Sequence, residues 1–161
     1  TLTGRVKDLQ IYVVGAKPPP WLQRLAASDH RIRVPGFVED ARPYFERATV
    51  YVCPIMNGGG TRLKILDALA MGVPLIASPF ACSGLSVETG KHMLTAETPE
   101  DFVSRISHVL ANVELRRKLA AAGRALVEQE YAWTVIGRHL INAYEAVARA
   151  RHTPDMSRAR F

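Results

Sequence analysis

Apolar residues in this chain come first in short runs punctuated by glycine and proline, and from Thr98 onward at helical spacing. Residues 9–15 combine Ile11, Tyr12, Val13 and Val14 and end at Gly15, which predicts a strand; Pro18, Pro19 and Pro20 then lead into a short helix over residues 21–27. A second unit repeats the order. Residues 31–36 predict a short strand, and Asp40 can cap a helix carrying Tyr44 and Phe45, with Pro43 tolerated in the first turn. Residues 49–53 predict a third strand ending at Pro54, residues 61–71 a helix, and residues 73–77 a fourth strand. In that helix Leu63, Leu66, Leu69 and Ala70 share a face, and Ile65, Ala68 and Met71 fill most of the others, so it is expected to be largely buried. Gly72 and Pro74 stop it.

An irregular stretch over residues 78–90, turned by Pro79, Gly84 and Gly90, precedes a last short strand at residues 92–95. Thr98, Pro99, Glu100 and Asp101 then supply a hydroxyl cap, a first-turn proline and acids at a helix start, followed by a stripe of Phe102, Ile106, Val109 and Leu110. Leu115, Leu119, Ala122 and Leu126 define the next helix, and Trp133, Ile136, Leu140, Tyr144 and Val147 the last. Strands alternating with helices predict an α/β fold, a parallel sheet of about five strands with helices on both faces and the C-terminal helices following the sheet. One domain over residues 1–152 is expected, with 153–161 as a basic tail.

Composition narrows the function. At 161 residues and 48% apolar content the chain suits one domain with a real core, and its net charge of +6 favours an anionic partner: a nucleotide, nucleic acid or an acidic membrane surface. Nucleic acid is not expected, because Trp133 and Tyr144 fall on an apolar helix face instead of alternating with basic residues. No run approaches the roughly 18 apolar residues of a membrane span, so a soluble, cytoplasmic protein is expected. Cys53 and Cys82 form no C-x-x-C pair and predict two reduced, buried thiols. His30, His92, His108, His139 and His152 lack metal-site spacing, so no metal is expected. Gly84, Ser86 and Glu88 begin like a nucleophile elbow, but Glu88 stands where its second glycine belongs.

The chemistry concentrates at Gly58, Gly59, Gly60, Thr61, Arg62 and Lys64, a glycine loop with two cations between a strand and a helix. That arrangement aims backbone N–H groups and the positive end of a helix dipole at one point, where phosphate would be attracted. It matches neither G-x-G-x-x-G nor the P-loop. The competing interpretation is a loose turn in which Lys64 pairs with Asp67 at i, i+3. Asp67, an acid among Ile65, Leu66, Ala68 and Leu69, would need a partner if buried.

These residues, with Val50 to Pro54 before them and Leu75 to Ser78 after them, resemble the nucleotide-sugar half of retaining glycosyltransferases of the group 1, GT-B type, built from two Rossmann-like domains. Val14 and Gly15, residues 36–38, residues 84–94 and the Tyr131-Ala132-Trp133 entry to the final helix are similar as well. The resemblance implies a hexosyltransferase-type enzyme taking a UDP- or GDP-linked donor, with no separate cofactor. The amides of Gly58, Gly59, Gly60 and Thr61, with Arg62 and Lys64, would hold the diphosphate, Asp67 the ribose, and backbone groups of Gly36 and Val38 the base. Of the family's two signature acids the second matches Asp67, while Gly59 occupies the place of the first, the one that faces the donor sugar. No catalytic residue is assigned. The resemblance further implies that the family's first β-α unit and its N-terminal acceptor domain are missing here, that this chain alone is inactive, and that the full-length enzyme could associate peripherally with a membrane. The rival function is a non-catalytic nucleotide-binding or interaction module with the same fold.

Overall fold

The computed structural model describes residues 6, 8–60 and 62–152. Its elements run β1 (Ile11–Val14), α1 (Pro20–Ser28), β2 (Ile32–Gly36), α2 (Arg42–Arg47), β3 (Tyr51–Cys53), α3 (Leu63–Ala70), β4 (Leu75–Ala77) and β5 (Leu94–Thr95). Then come α4 (Pro99–Ala111), α5 (Val113–Leu126), a π-helical turn (Val127–Tyr131) and α6 (Trp133–His152). The expected basic tail at 153–161 lies outside the described residues, as does Thr61.

Each strand pairing is parallel, as the alternation of strands and helices predicts, but hydrogen bonding divides the five strands into a pair, β1-β2, and a trio, β3-β4-β5. A single sheet would need β1 and β3 to be joined. Both are edges instead, and α2 spans them: Tyr44 meets Tyr12 of β1 edge-on at 5.8 Å, and Phe45 meets Tyr51 of β3 at 5.2 Å. Asp40 accepts the N–H of Arg42 at 2.9 Å, but it stands one residue ahead of the N-cap, Ala41, which has no side-chain cap, so the expected cap is replaced by a local turn of the Asp side chain onto the backbone two residues on.

The core is built on the trio. Its strands are short enough that alternation shows residue by residue. Leu75 and Ala77 face α3 with Cys53 and Met93, packing on Ile65 and Leu69, while Ile76 faces the other way, toward Phe102, Val109 and Leu119 of α4 and α5. Helices therefore cover both faces of this sheet. The buried stripe of α3 is Ile65, Ala68 and Leu69, whereas Leu63 is 58% exposed and Asp67 also lies outside. This corrects the expectation of a largely buried helix: β4, α5 and the π-helical turn cover one side of α3, and three positions per two turns suffice for that side. Gly72, at φ +66, ends α3 by letting the Gly72 N–H reach the Leu69 carbonyl and the Val73 N–H the Ala68 carbonyl. Helix α4 carries the hydroxyl cap expected of Thr98, and Asp101 completes a capping box by accepting the Thr98 N–H in return. Helix α6 leaves Trp133, Leu140, Tyr144 and Val147 exposed.

Candidate functional site

The carboxyl ends of β3 and β4 set the site. Ser78, fully buried just past β4, donates its hydroxyl to the Ile55 carbonyl and accepts the Ala81 N–H at 3.1 Å. One side chain thus fastens the root of the glycine loop to the tight turn Phe80–Cys82. Gly58 and Gly60 adopt φ +127 and +94, conformations that a side chain would strain, so the loop requires glycine at both positions. It delivers the chain into α3 at Arg62.

Among the described residues, helix α3 begins without a side-chain cap and without an acid in its first turn. Its leading N–H groups have no partner within the helix, and the helix dipole adds partial positive charge at that end. Arg62 and Lys64 add two full positive charges, an arrangement that is electrostatically unfavourable by itself. Neither joins an ion pair among the described residues. Arg62 is ordered by its surroundings: its guanidinium lies 4.9 Å from the centroid of the Phe80 ring, and Nη1 donates to the Gly60 carbonyl at 3.2 Å. Its Nε is shielded from solvent and has no hydrogen-bond partner among the described residues. Asp67 is exposed and unpaired with Lys64, which removes the i, i+3 pairing as an account of either residue.

A cleft of about 330 Å³ opens here, lined by Gly60, Arg62, Leu63 and Leu66 on one side and by Ser83, Gly84 and Leu85 on the other. Gly36 and Val38 lie elsewhere, at the carboxyl end of β2. Gly36 turns at φ +80 and its carbonyl accepts the Gly15 N–H at 3.0 Å. No hydrogen bond joins either residue to the glycine loop among the described residues. Cys53 and Cys82 are buried free thiols; burial raises both, Cys82 to about 11, so neither is a ready nucleophile at neutral pH.

This combination of fold and glycine loop has relatives. The model of the family described as Glycosyl transferases group 1 matches residues 2–112. The chain belongs to this family. The phosphatidyl-myo-inositol mannosyltransferase of Mycobacterium leprae is 29% identical over 147 residues, which are 88% of this chain and 39% of that protein. The GDP-mannose-dependent monoacylated alpha-(1-6)-phosphatidylinositol monomannoside mannosyltransferase of Corynebacterium glutamicum is 28% identical, covering 88% of this chain and 40% of its own. The chain thus spans about two fifths of the length of these curated relatives. Anabaena HepE, solved in complex with UDP and glucose, aligns with a TM-score of 0.75 at 13% identity, over 90% of this chain and 42% of its own, a likeness of fold.

For a group 1 glycosyl transferase, the sequence pattern missed the cleft's far wall. Phe80 and residues 83–85 sit in a stretch with no periodicity, and tertiary contacts, those of Ser78 with Ile55 and of Phe80 with Arg62, bring them to the glycine loop. Their one local signal is Gly84, at φ +82.

Proposed function

We propose that the cleft at the start of α3 binds the diphosphate of a nucleotide-sugar, UDP- or GDP-linked, as the donor site of a retaining glycosyltransferase whose acceptor is unknown. The carrying observation is Arg62 and Lys64 at the positive end of an uncapped helix, unneutralised by any acid of the described chain. An anion with two adjacent charges relieves that repulsion, accepts from the free N–H groups, and offers the shielded Arg62 Nε an acceptor. As the sugar leaves, the same groups stabilise the negative charge accumulating on the diphosphate. The loop residues Gly58, Gly59, Gly60 and Thr61 supply amides, Asp67 accepts from the ribose hydroxyls, and Gly36 and Val38 address the base through the backbone.

Gly59 carries no side chain toward the sugar, so in this reading specificity for the sugar comes from other groups. The names of the relatives support the class of reaction, since one is described as GDP-mannose-dependent, and UDP is bound by HepE. In the same reading, turnover needs an acceptor held against the anomeric carbon, and the 161-residue chain by itself is expected to bind without transferring. Calorimetric titration with UDP, GDP and ADP tests the site: binding of at least one, weakened in Arg62→Ala, is expected, and no heat with any of the three would refute it.

A further inference from the structure

Tyr131 reaches across 45 residues to the loop on the far side of the cleft: its hydroxyl accepts the Ser86 N–H at 2.8 Å and donates to the Ser86 Oγ at 3.3 Å. Ser86 directly follows Leu85, the last residue of that wall. Tyr131 closes the π-helical turn Val127–Tyr131, in which the helix is widened by one residue per bond before the chain breaks at Ala132. At its other end that turn is fixed to α3. Val127 packs on the cluster containing Ile65 and Leu69, the same cluster against which Leu85 and Val87 lie. Both walls of the cleft are therefore referred to one short segment, the α3 wall by apolar packing and the backbone that follows the Ser83 to Leu85 wall by one hydroxyl.

We propose that Tyr131 is a positioning residue for the donor site, its hydroxyl holding the Ser86 backbone so that the 83–85 wall stands at the distance from Arg62 that a nucleoside diphosphate requires. This role rests on the nucleotide reading of the cleft. The wall has few other ties: the Ser83 N–H reaches the Phe80 carbonyl and the Leu85 N–H the Cys82 carbonyl, both within the preceding turn. Beyond Ser86 the next anchor is the Glu88 N–H, donated to His92 Nδ1 at 3.1 Å. Without the phenol oxygen the Ser86 backbone keeps only the apolar packing of Leu85 and Val87 on either side of it, which resists its movement away from α3 less sharply than a hydrogen bond, and a π-helical turn ending at Phe would keep every contact except that one.

The test compares the full chain with Tyr131→Phe, which keeps the ring and removes the oxygen, and with Ser86→Ala, which keeps the backbone donor. UDP, GDP and ADP are titrated by calorimetry, and amide hydrogen exchange at Ser86 is followed without nucleotide. Expected in Tyr131→Phe are faster exchange at Ser86 and an affinity loss of about three- to tenfold, the size of one ordinary hydrogen bond. Ser86→Ala should stay close to the parent in both. A Tyr131→Phe chain with parental exchange and affinity overturns the clamp, as does a Ser86→Ala chain that loses as much as Tyr131→Phe. A parent that binds none of the three nucleotides refutes the donor-site reading and this role with it. Faster Ser86 exchange with parental affinity shows a clamp that does not position the donor, and also overturns the proposal.

Discussion

The guanidinium of Arg62 stands over the Phe80 ring, 4.9 Å from its centroid, and so is held at the mouth of α3 by an aromatic face instead of by a carboxylate. An ion pair would cancel the charge; a ring fixes the position and leaves the charge available to an anion.

Arg62→Ala and Lys64→Ala should each weaken nucleoside diphosphate binding by about 1.5–3 kcal/mol, the range for hydrogen bonds to charged groups. Affinity in the parent should fall as salt rises, since both cations act at a partly solvated site. Arg62→Lys should recover little, because an ammonium cannot stack on Phe80 and reach Gly60 with one planar fork. Parental affinity in both alanine variants, measured by calorimetry, would reduce the glycine loop to a turn.

Asp67→Asn should lower nucleotide affinity and leave the melting temperature within a few degrees. A carboxylate accepts from both hydroxyls of a ribose, whereas an amide offers one acceptor oxygen in its place. The fold loses nothing obvious, because Asp67 is exposed and makes no ion pair with Lys64. A large drop in melting temperature at unchanged affinity would show the residue to be structural.

Most of the fold was legible because the chain announces it locally. Thr98 caps α4 with acids in its first turn, Gly72 ends α3, and the run before Pro54 is a strand. What was not legible depended on partners distant in sequence. Leu63 looks like a core residue on a helical wheel, yet it lines a cleft, since no described residue packs over that side of α3. The division between β1 and β3 is equally invisible locally, because each strand carries the same apolar signature whether or not a neighbour pairs with it. At the site, the glycines and cations stood out as residue types, while Phe80 and Tyr131 gave no sign of reaching Arg62 and Ser86.

Acid should destabilise the protein through groups whose folded forms favour the carboxylate. Arg31 forks onto Asp29 with bonds of 2.8 and 2.6 Å, holding that carboxyl at about 2 against an ordinary 3.8. Arg42 lowers Asp40, Lys91 lowers Glu88, and the Thr98 N–H lowers Asp101. In each case the unfolded chain takes up protons first, so the stabilisation is complete above the ordinary carboxylate range and is lost as pH falls. For Asp29 the loss runs from about pH 4 down through about pH 2. Thermal melts across that interval should show Asp29→Asn with a shallower decline than the parent. Parallel curves would mean that the Asp29 and Arg31 pair persists in the unfolded chain.

Two glycines in helices make a paired test of packing. Gly123 is buried on α5 against α3, where an added Cβ would lie 2.6 Å from Leu69 Cδ2 and 3.2 Å from the His92 carbonyl oxygen. The leucine methyl is the end of a side chain, but Leu69 is itself 1% exposed among Ile65, Leu75 and Met93, and the carbonyl belongs to backbone next to β5. Neither can yield cheaply. Gly123→Ala should therefore cost about 1–3 kcal/mol, as overpacking does, despite alanine's better helix propensity. Gly137 sits within α6 with nothing inside 4 Å of the same added atom, so Gly137→Ala should gain roughly 0.5–1 kcal/mol from backbone entropy alone. Urea unfolding of the two variants should move the midpoint in opposite directions. If both become more stable, the contact between α5 and α3 is looser than the position of Gly123 against Leu69 implies.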